Sequence, residues 1–445
     1  MAKKPTPMFK QYRELKAEHP DAVLMFRLGD FFEMFCEDAE IASRELGIVL
    51  TSRDAGPSNK MPMCGVPHHA VDGYIATLVQ NGHKVAIADQ VEDPRAARGL
   101  VRREIVRVIT PGTYADQVDP VTNNFLIAVV VAPTGMGLAA CDGSTGELLA
   151  TQVLGDDAAK SISEEIGRIS PSECIYPGYD DDDVSGKHSC PAEGKFVSYP
   201  RPRRDFELAH AEKTLLGQFD VASLEGFGAG GMDLAVRAAG GLVSYIQETQ
   251  MSRAPQISRM RIYHLGEFMQ VDGPTRRALD LFGRERGLAR ALDDTRTPMG
   301  GRLVRAWLER PSVSADEINA RLDSVQELAG DTFMRADARA VLDRMYDLER
   351  TCGRIGYKTV GPRDLLALAA SLEAAADLQT VLAGAVAPRL VELWSAIDPV
   401  TEAVSRIRES IRDDAKAATG EGGIIRPGFS AEVDELSRAS TEGRQ

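Results

Sequence analysis

Long apolar runs, paired cysteines and clustered histidines are scarce in this sequence. Its longest unbroken apolar run, residues 125–132, is far short of the roughly 20 residues a helix needs to cross a bilayer. The opening MAKKPTPMFK has no apolar core, so no secretory leader is expected. The six cysteines, Cys36, Cys64, Cys141, Cys174, Cys190 and Cys352, form no C-x-x-C pair and read as reduced thiols of a cytosol. Among the seven histidines, only His68 and His69 are adjacent, with no partner at ligand spacing. A Gly-x-x-x-x-Gly-Lys-Ser/Thr motif is absent, and Gly186-Lys187 is followed by His188. No P-loop nucleotide site and no Gly-x-Ser-x-Gly nucleophile elbow is therefore expected.

What is present is ordinary globular material, 43% apolar and 27% charged, in a chain of 445 residues with room for two to four domains. The net charge of −14 argues against indiscriminate nucleic-acid binding, but it is unevenly spread. The first 112 residues hold 15 Lys/Arg and 15 Asp/Glu and are neutral, so the remainder carries the whole −14. An N-terminal unit could meet DNA without strong repulsion while the rest could not.

Along residues 1–115, strands alternate with helices, the pattern of a small mixed α/β domain. Thr6-Pro7 caps a first helix. AVLMFRLGD ends a strand at Gly29-Asp30. Phe32, Phe35, Ala39, Ala42 and Leu46 fall at helical spacing, closed by Gly47. GIVLTSRD reads as a strand, residues 55–67 as a loop, and 68–82 as a helix ending at Gly82. Two more strands follow. Residues 120–250 form a second α/β domain, opening with a meander broken at Pro-Thr-Gly and Asp-Gly-Ser-Thr-Gly. Residues 180–195 are a polar, acid-rich excursion. From about residue 251 the pattern is helical, with Thr297-Pro298 as cap and first residue, and Leu303, Trp307 and Leu308 on one face.

Three motifs bear on chemistry. GFGAGG, residues 226–231, matches a dinucleotide fingerprint but lacks a clear preceding strand, so a helix-entry loop is the simpler reading. Asp142 ends a strand where a nuclease ligand could sit, yet Asp142-Gly143 fits a hairpin turn better. The third is GDFFEMF, residues 29–35. If it is extended, Phe31 and Glu33 share one face and Phe32 takes the other. If it is helical, Phe31 and Glu33 lie about 200° apart. A core aromatic beside a solvated acid is the plainer reading.

The residues just quoted, together with MPMCGVPHHAVDGYIATLVQNGHKVAIADQVEDP, ACDGSTGEL, TRRALDL and PRDLLAL, resemble the MutS family of DNA mismatch-recognition proteins over essentially the whole chain. The resemblance implies a mixed-sheet mismatch-recognition domain and an RNase H-like connector, both α/β. An all-α core and lever region follows to residue 430, with the start of a clamp at 431–445. It implies a Phe-x-Glu motif at Phe31 and Glu33: a ring that wedges into a mispaired step from the minor groove, and a carboxylate that hydrogen-bonds the base. Arg53, Lys60, Arg95 and Arg98 are candidate contacts to the DNA backbone, with ordinary solvated surface as their alternative.

Expected partners are duplexes with mismatches or small loops, a MutL-like protein through the connector, and a second copy in the full-length family. ATP and Mg²⁺ belong to a P-loop domain that this chain does not contain, so no cofactor and no catalysis is expected of these residues. A bacterial, cytoplasmic, nucleoid-associated protein is implied. The alternatives from another class are a dinucleotide-dependent enzyme using Gly226–Gly231 and a nuclease using Asp142.

Overall fold

The computed structural model describes residues 6–54, 60–92, 100–114, 119–179, 190–283, 287–416 and 422–442. The first domain runs α1 (Pro7–Glu18), β1 (Ala22–Leu28), β2 (Phe31–Phe35), α2 (Cys36–Leu46), β3 (Thr51–Asp54), β4 (Lys60–Pro67), α3 (Val71–Gln80), β5 (Lys84–Gln90) and β6 (Arg103–Ile109). Its six-stranded sheet has the order β3-β4-β2-β1-β5-β6, with β1 and β5 parallel and the other neighbours antiparallel. α2 and α3 bury one face around Met25, Phe32, Met34 and Leu78. α1 covers part of the other around Tyr12, Phe26 and Phe35. Thr6 caps α1 by accepting from the Phe9 N–H, as the sequence predicts.

Two local expectations give way. The helical stripe that would join Phe32 to Phe35 does not exist, because residues 31–35 are a strand hydrogen-bonded on both sides and the helix starts at Cys36. The ladder bonds of a central strand outweigh a short helical pattern, and they send Phe32 and Phe35 into opposite cores. Residues 60–67, expected in a loop, are strand β4. Pro62 and Pro67 hide it, since proline cannot donate to a ladder and demotes a strand pattern.

The second domain runs β7 (Leu126–Ala132), β8 (Gly135–Asp142), β9 (Glu147–Leu154), α4 (Ala158–Ile169), β10 (Glu173–Tyr179), β11 (Val197–Pro202), α5 (Leu208–Phe219), α6 (Asp233–Thr249) and β12 (Arg259–Ile262). The meander β7-β8-β9 lies inside the sheet order β11-β10-β7-β8-β9-β12. β12 pairs in parallel with β9, so this sheet extends past residue 251, where the sequence reads as helical. Helix α6 lies close on the sheet because Gly137 leaves room. A Cβ there would fall 2.1 Å from the Leu234 carbonyl oxygen. Gly137→Ala must push α6 away from β8, and should lower unfolding stability by about 1–3 kcal/mol in a denaturant titration.

The two sheets meet through a buried seam. The Gly112 N–H donates to Glu173 Oε2 at 2.8 Å, and the Tyr245 hydroxyl to Oε1 at 2.6 Å. Burial pushes the Glu173 carboxyl up despite these bonds. Lys84 Nζ sits 3.5 Å above the Tyr199 ring and donates to Asp21 at 2.7 Å.

The helical unit holds α7 (Gly273–Ala278), α8 (Leu288–Leu292), α9 (Pro298–Glu309), α10 (Ala315–Gly330), α11 (Thr332–Leu342), α12 (Leu348–Gly356), α13 (Pro362–Leu382), α14 (Pro388–Ala396), α15 (Thr401–Ser410) and α16 (Ala431–Glu442). Thr297 caps α9 by accepting from the Gly300 N–H at 3.0 Å. The apolar face expected on α9 is not sealed: Leu303 and Trp307 are exposed, with the Arg321 guanidinium 4.1 Å from the Trp307 ring. α13, with 21 residues, is long and apolar enough to match a membrane span in composition. It behaves as a bundle helix, burying Ala369, Ser371 and Ala374 while Glu373 pairs with Arg408 of α15.

Candidate nucleic-acid interface

The turn between β1 and β2 sets the geometry. Leu28 pairs with Phe31, leaving only Gly29 and Asp30 between the strands. Gly29 adopts φ +59 while Asp30 stays out of the left-handed region, the pattern of a tight type II′ hairpin in which glycine suits the first central position. β2 begins at Phe31, and period-two alternation puts Phe31, Glu33 and Phe35 on one face.

α1 covers that face only as far as Phe35. The Tyr12 ring meets the Phe35 ring edge-on at 5.0 Å, and its hydroxyl donates to the Phe35 carbonyl at 3.1 Å and to Asp38 at 2.7 Å. Burial, with Asp38 alongside, pushes the Tyr12 hydroxyl well up. Asp38 also accepts from Lys16 Nζ at 2.8 Å and the Leu24 N–H at 3.2 Å, which pins α1 in place. Glu33 is still largely covered, with 16% of its side chain exposed, and the face opens at Phe31. Phe31 is 48% exposed, whereas Phe26, Phe32 and Phe35 are at most 3% exposed.

Glu33 is not a freely solvated acid. Arg53, on the edge strand β3, reaches across β4 and donates to its carboxylate. The cross-strand neighbour of Glu33 is Gly65, which has no side chain to intervene. A Cβ there would lie 3.4 Å from Glu33 Cγ and 3.3 Å from the Phe32 carbonyl oxygen. Sequence reasoning missed Gly65 because its strand was read as a loop.

The structure thus brings Phe31, Glu33 and Arg53 together on one face. Lys60 is exposed at the far end of β4, opposite Asp54, while Pro67 at the near end pairs with Phe31. Seven residues of strand separate Lys60 from that pairing, roughly 20 Å. Arg95 and Arg98 lie outside the described residues. Arg27, which the sequence reading did not single out, flanks the turn, donating to the Gly29 carbonyl at 2.5 Å with its guanidinium 5.3 Å from the Phe32 ring. Its position beside Gly29-Asp30 is the signal that could have marked it.

The two enzyme alternatives lose their geometry here. GFGAGG follows helix α5 and begins within a short 3₁₀ turn, Glu225–Phe227, with no strand between α5 and it. The Asp142 carboxylate is fully buried and accepts from the Ser144 N–H, the Ser144 hydroxyl and the Asn124 N–H. Among the described residues, no group of three or more His, Cys, Asp or Glu could hold a metal ion.

Fold and site together define a multidomain chain, with two α/β domains ahead of a helical region and an aromatic–acid pair on one sheet face, exposed at its aromatic member. Residues 6–118 match MutS domain I, 124–258 match MutS domain II, and 274–442 match MutS domain III. The chain belongs to the MutS family. It is 42% identical to the DNA mismatch repair protein MutS of Syntrophomonas wolfei over 446 residues, covering 98% of this chain and 52% of that protein. The protein of the same name from Symbiobacterium thermophilum is 42% identical over 452 residues, and that from Alkaliphilus oremlandii 40% over 453. Each alignment covers 99% of this chain and 51% of the relative. The chain spans about half the length of the curated relatives it matches.

Proposed function

We propose that this chain is the mismatch-sensing, connector and partial lever portion of a DNA mismatch-repair protein, with Phe31 as the probe and Glu33 as the filter. The supporting observation is the contrast within β2 and its neighbour β1: Phe32 and Phe35 of β2 and Phe26 of β1 are buried while Phe31 stands half-exposed on the same face as an acid. Inserting a ring between base pairs costs a few kcal/mol of unstacking and kinks the duplex by roughly 20–90°. A mispaired step is already poorly stacked, so there the cost falls. The wedge tests deformability rather than sequence.

Glu33 acts in the opposite sense. A carboxylate near phosphates is repelled, and a base that offers a proton offsets the penalty where a correctly paired one does not. In the free protein Arg53 neutralises Glu33. Glu33→Ala removes the repulsion and releases Arg53 toward phosphates. Homoduplex affinity should rise, and the ratio of heteroduplex to homoduplex affinity should narrow about fivefold, on the order of 1 kcal/mol. Competition between the two duplexes at fixed salt measures this. An unchanged ratio would remove Glu33 from the filter.

No P-loop sequence occurs in the 445 residues, so no nucleotide site is assigned to them. ATP and Mg²⁺, a second copy and a MutL-like partner are assigned to the longer protein, with residues 124–258 proposed as the segment that relays the bound state. Lys60 is proposed as a phosphate contact distant from the wedge.

A further inference from the structure

We propose that Cys174 and Cys190 of the second domain form a peroxide-responsive thiol pair, in which Cys190 reacts first and Cys174 resolves it to a reversible disulfide. The two sulfurs lie 3.7 Å apart and share a hydrogen bond, yet all six cysteines are free thiols. They are placed asymmetrically. Cys174 is on β10, paired with Ser198 of β11 and fully buried beside Ile162 and Ile166 of α4. Cys190 is only half-buried and packs on the rim of the same cluster.

The electrostatics differ in the same direction. The hydrogen bond with Cys174 holds the Cys190 thiol below its ordinary range against the opposing effect of burial, with help from the Ala192 backbone and the Ser198 hydroxyl. The same bond, with burial, pushes Cys174 well up. A partly exposed sulfur with thiolate character beside a second sulfur is the arrangement of an attacking and a resolving cysteine. Cys64 and Cys141 are buried and pushed up by burial with no sulfur partner, and so are expected to be inert.

The chemistry balances with hydrogen peroxide as oxidant. The Cys190 thiolate attacks one peroxide oxygen, forming S–O and breaking O–O, and the departing hydroxide takes a proton to leave as water. Cys174 sulfur then attacks the Cys190 sulfenic sulfur, forming S–S and breaking S–O. The Cys174 proton goes with the second leaving oxygen, again as water. Two thiols and one peroxide become one disulfide and two waters, and a thiol reductant reverses the result. The bond would staple Cys190 to strand β10.

The test treats the 445-residue chain with dilute hydrogen peroxide and maps its peptides without reduction. The expected product is a Cys174–Cys190 cross-link, lighter by two hydrogen atoms and lost with dithiothreitol. Before oxidation, Cys190 should alkylate at neutral pH at least about tenfold faster than Cys64 or Cys141. In Cys174→Ser, Cys190 should accumulate as a dimedone-trapped sulfenic acid. Because that variant alters a buried position, the wild-type map carries the decision. Oxidation of Cys190 straight to sulfinic acid without the cross-link overturns the proposal, as does a reduced pair while Cys352 is oxidised.

Discussion

Phe31→Ala should abolish mismatch discrimination while leaving the protein folded. Stacking of a base on an aromatic ring is worth about 1–3 kcal/mol, so heteroduplex affinity should fall between about fivefold and a hundredfold. Homoduplex affinity should stay within about twofold, because a paired, stacked step does not admit the ring. The melting temperature should barely change, because nearly half of the side chain is already in solvent. Phe32, one residue along, is the control. It is 3% exposed and packs among Met25, Met34 and Leu78, and its truncation opens a cavity costing about 3–5 kcal/mol. Phe32→Ala should therefore unfold or strongly destabilise the first domain. Adjacent residues of one type then give opposite phenotypes, one in binding and one in stability. Titration with both duplexes, alongside thermal melts, reads the two effects separately.

The second large effect is expected in the helical unit. The Arg302 side chain is 5% exposed. Its guanidinium donates to Asp347 at 2.7 and 2.8 Å, to Glu349 at 2.6 Å and to the Pro120 carbonyl at 2.8 Å. This cluster ties α9 to the start of α12 and to residues 119–123. Removing one member leaves acids without their counter-charge, a loss of about 3–5 kcal/mol in comparable buried pairs. Arg302→Ala should lower the melting point of this unit by roughly 10 °C or more.

The pH dependence follows from the same contacts. Burial alone would raise the Asp347 carboxyl, but hydrogen bonds from Arg302 and the Arg350 N–H, with both guanidinium charges, hold it below its ordinary value. A carboxyl depressed by folding stabilises the native state above its unfolded value and loses that contribution as pH falls through the folded one. The helical unit should therefore weaken below about pH 4, and the weakening should be smaller in Arg302→Ala. Equal acid sensitivity in both proteins would contradict this role for the cluster.

What the sequence could reveal follows the range of the interactions. Thr6-Pro7 and Thr297-Pro298 are local signals, and both caps form as expected. The shared face of Phe31 and Glu33 needs only period-two alternation, so it was legible once an extended backbone was considered. The rest depended on pairing. Arg53 finds Glu33 across an intervening strand that two prolines disguised, and no local pattern specifies that register. Phe35 looked like the next turn of a helix, but its partners are Tyr12 and Phe26, brought in by α1 and β1. The seam residue Glu173 reads in sequence as an ordinary strand acid. Only the fold places Gly112 and Tyr245 against it.

Aminopurine placed beside a mismatch reports stacking at the probed step. Titrating such a duplex with the wild-type chain and with Phe31→Ala should give a fluorescence change for the wild type that vanishes in the variant, and none when the same probe sits in a fully paired duplex. An equal change from both proteins would show that something other than the ring at residue 31 opens the helix.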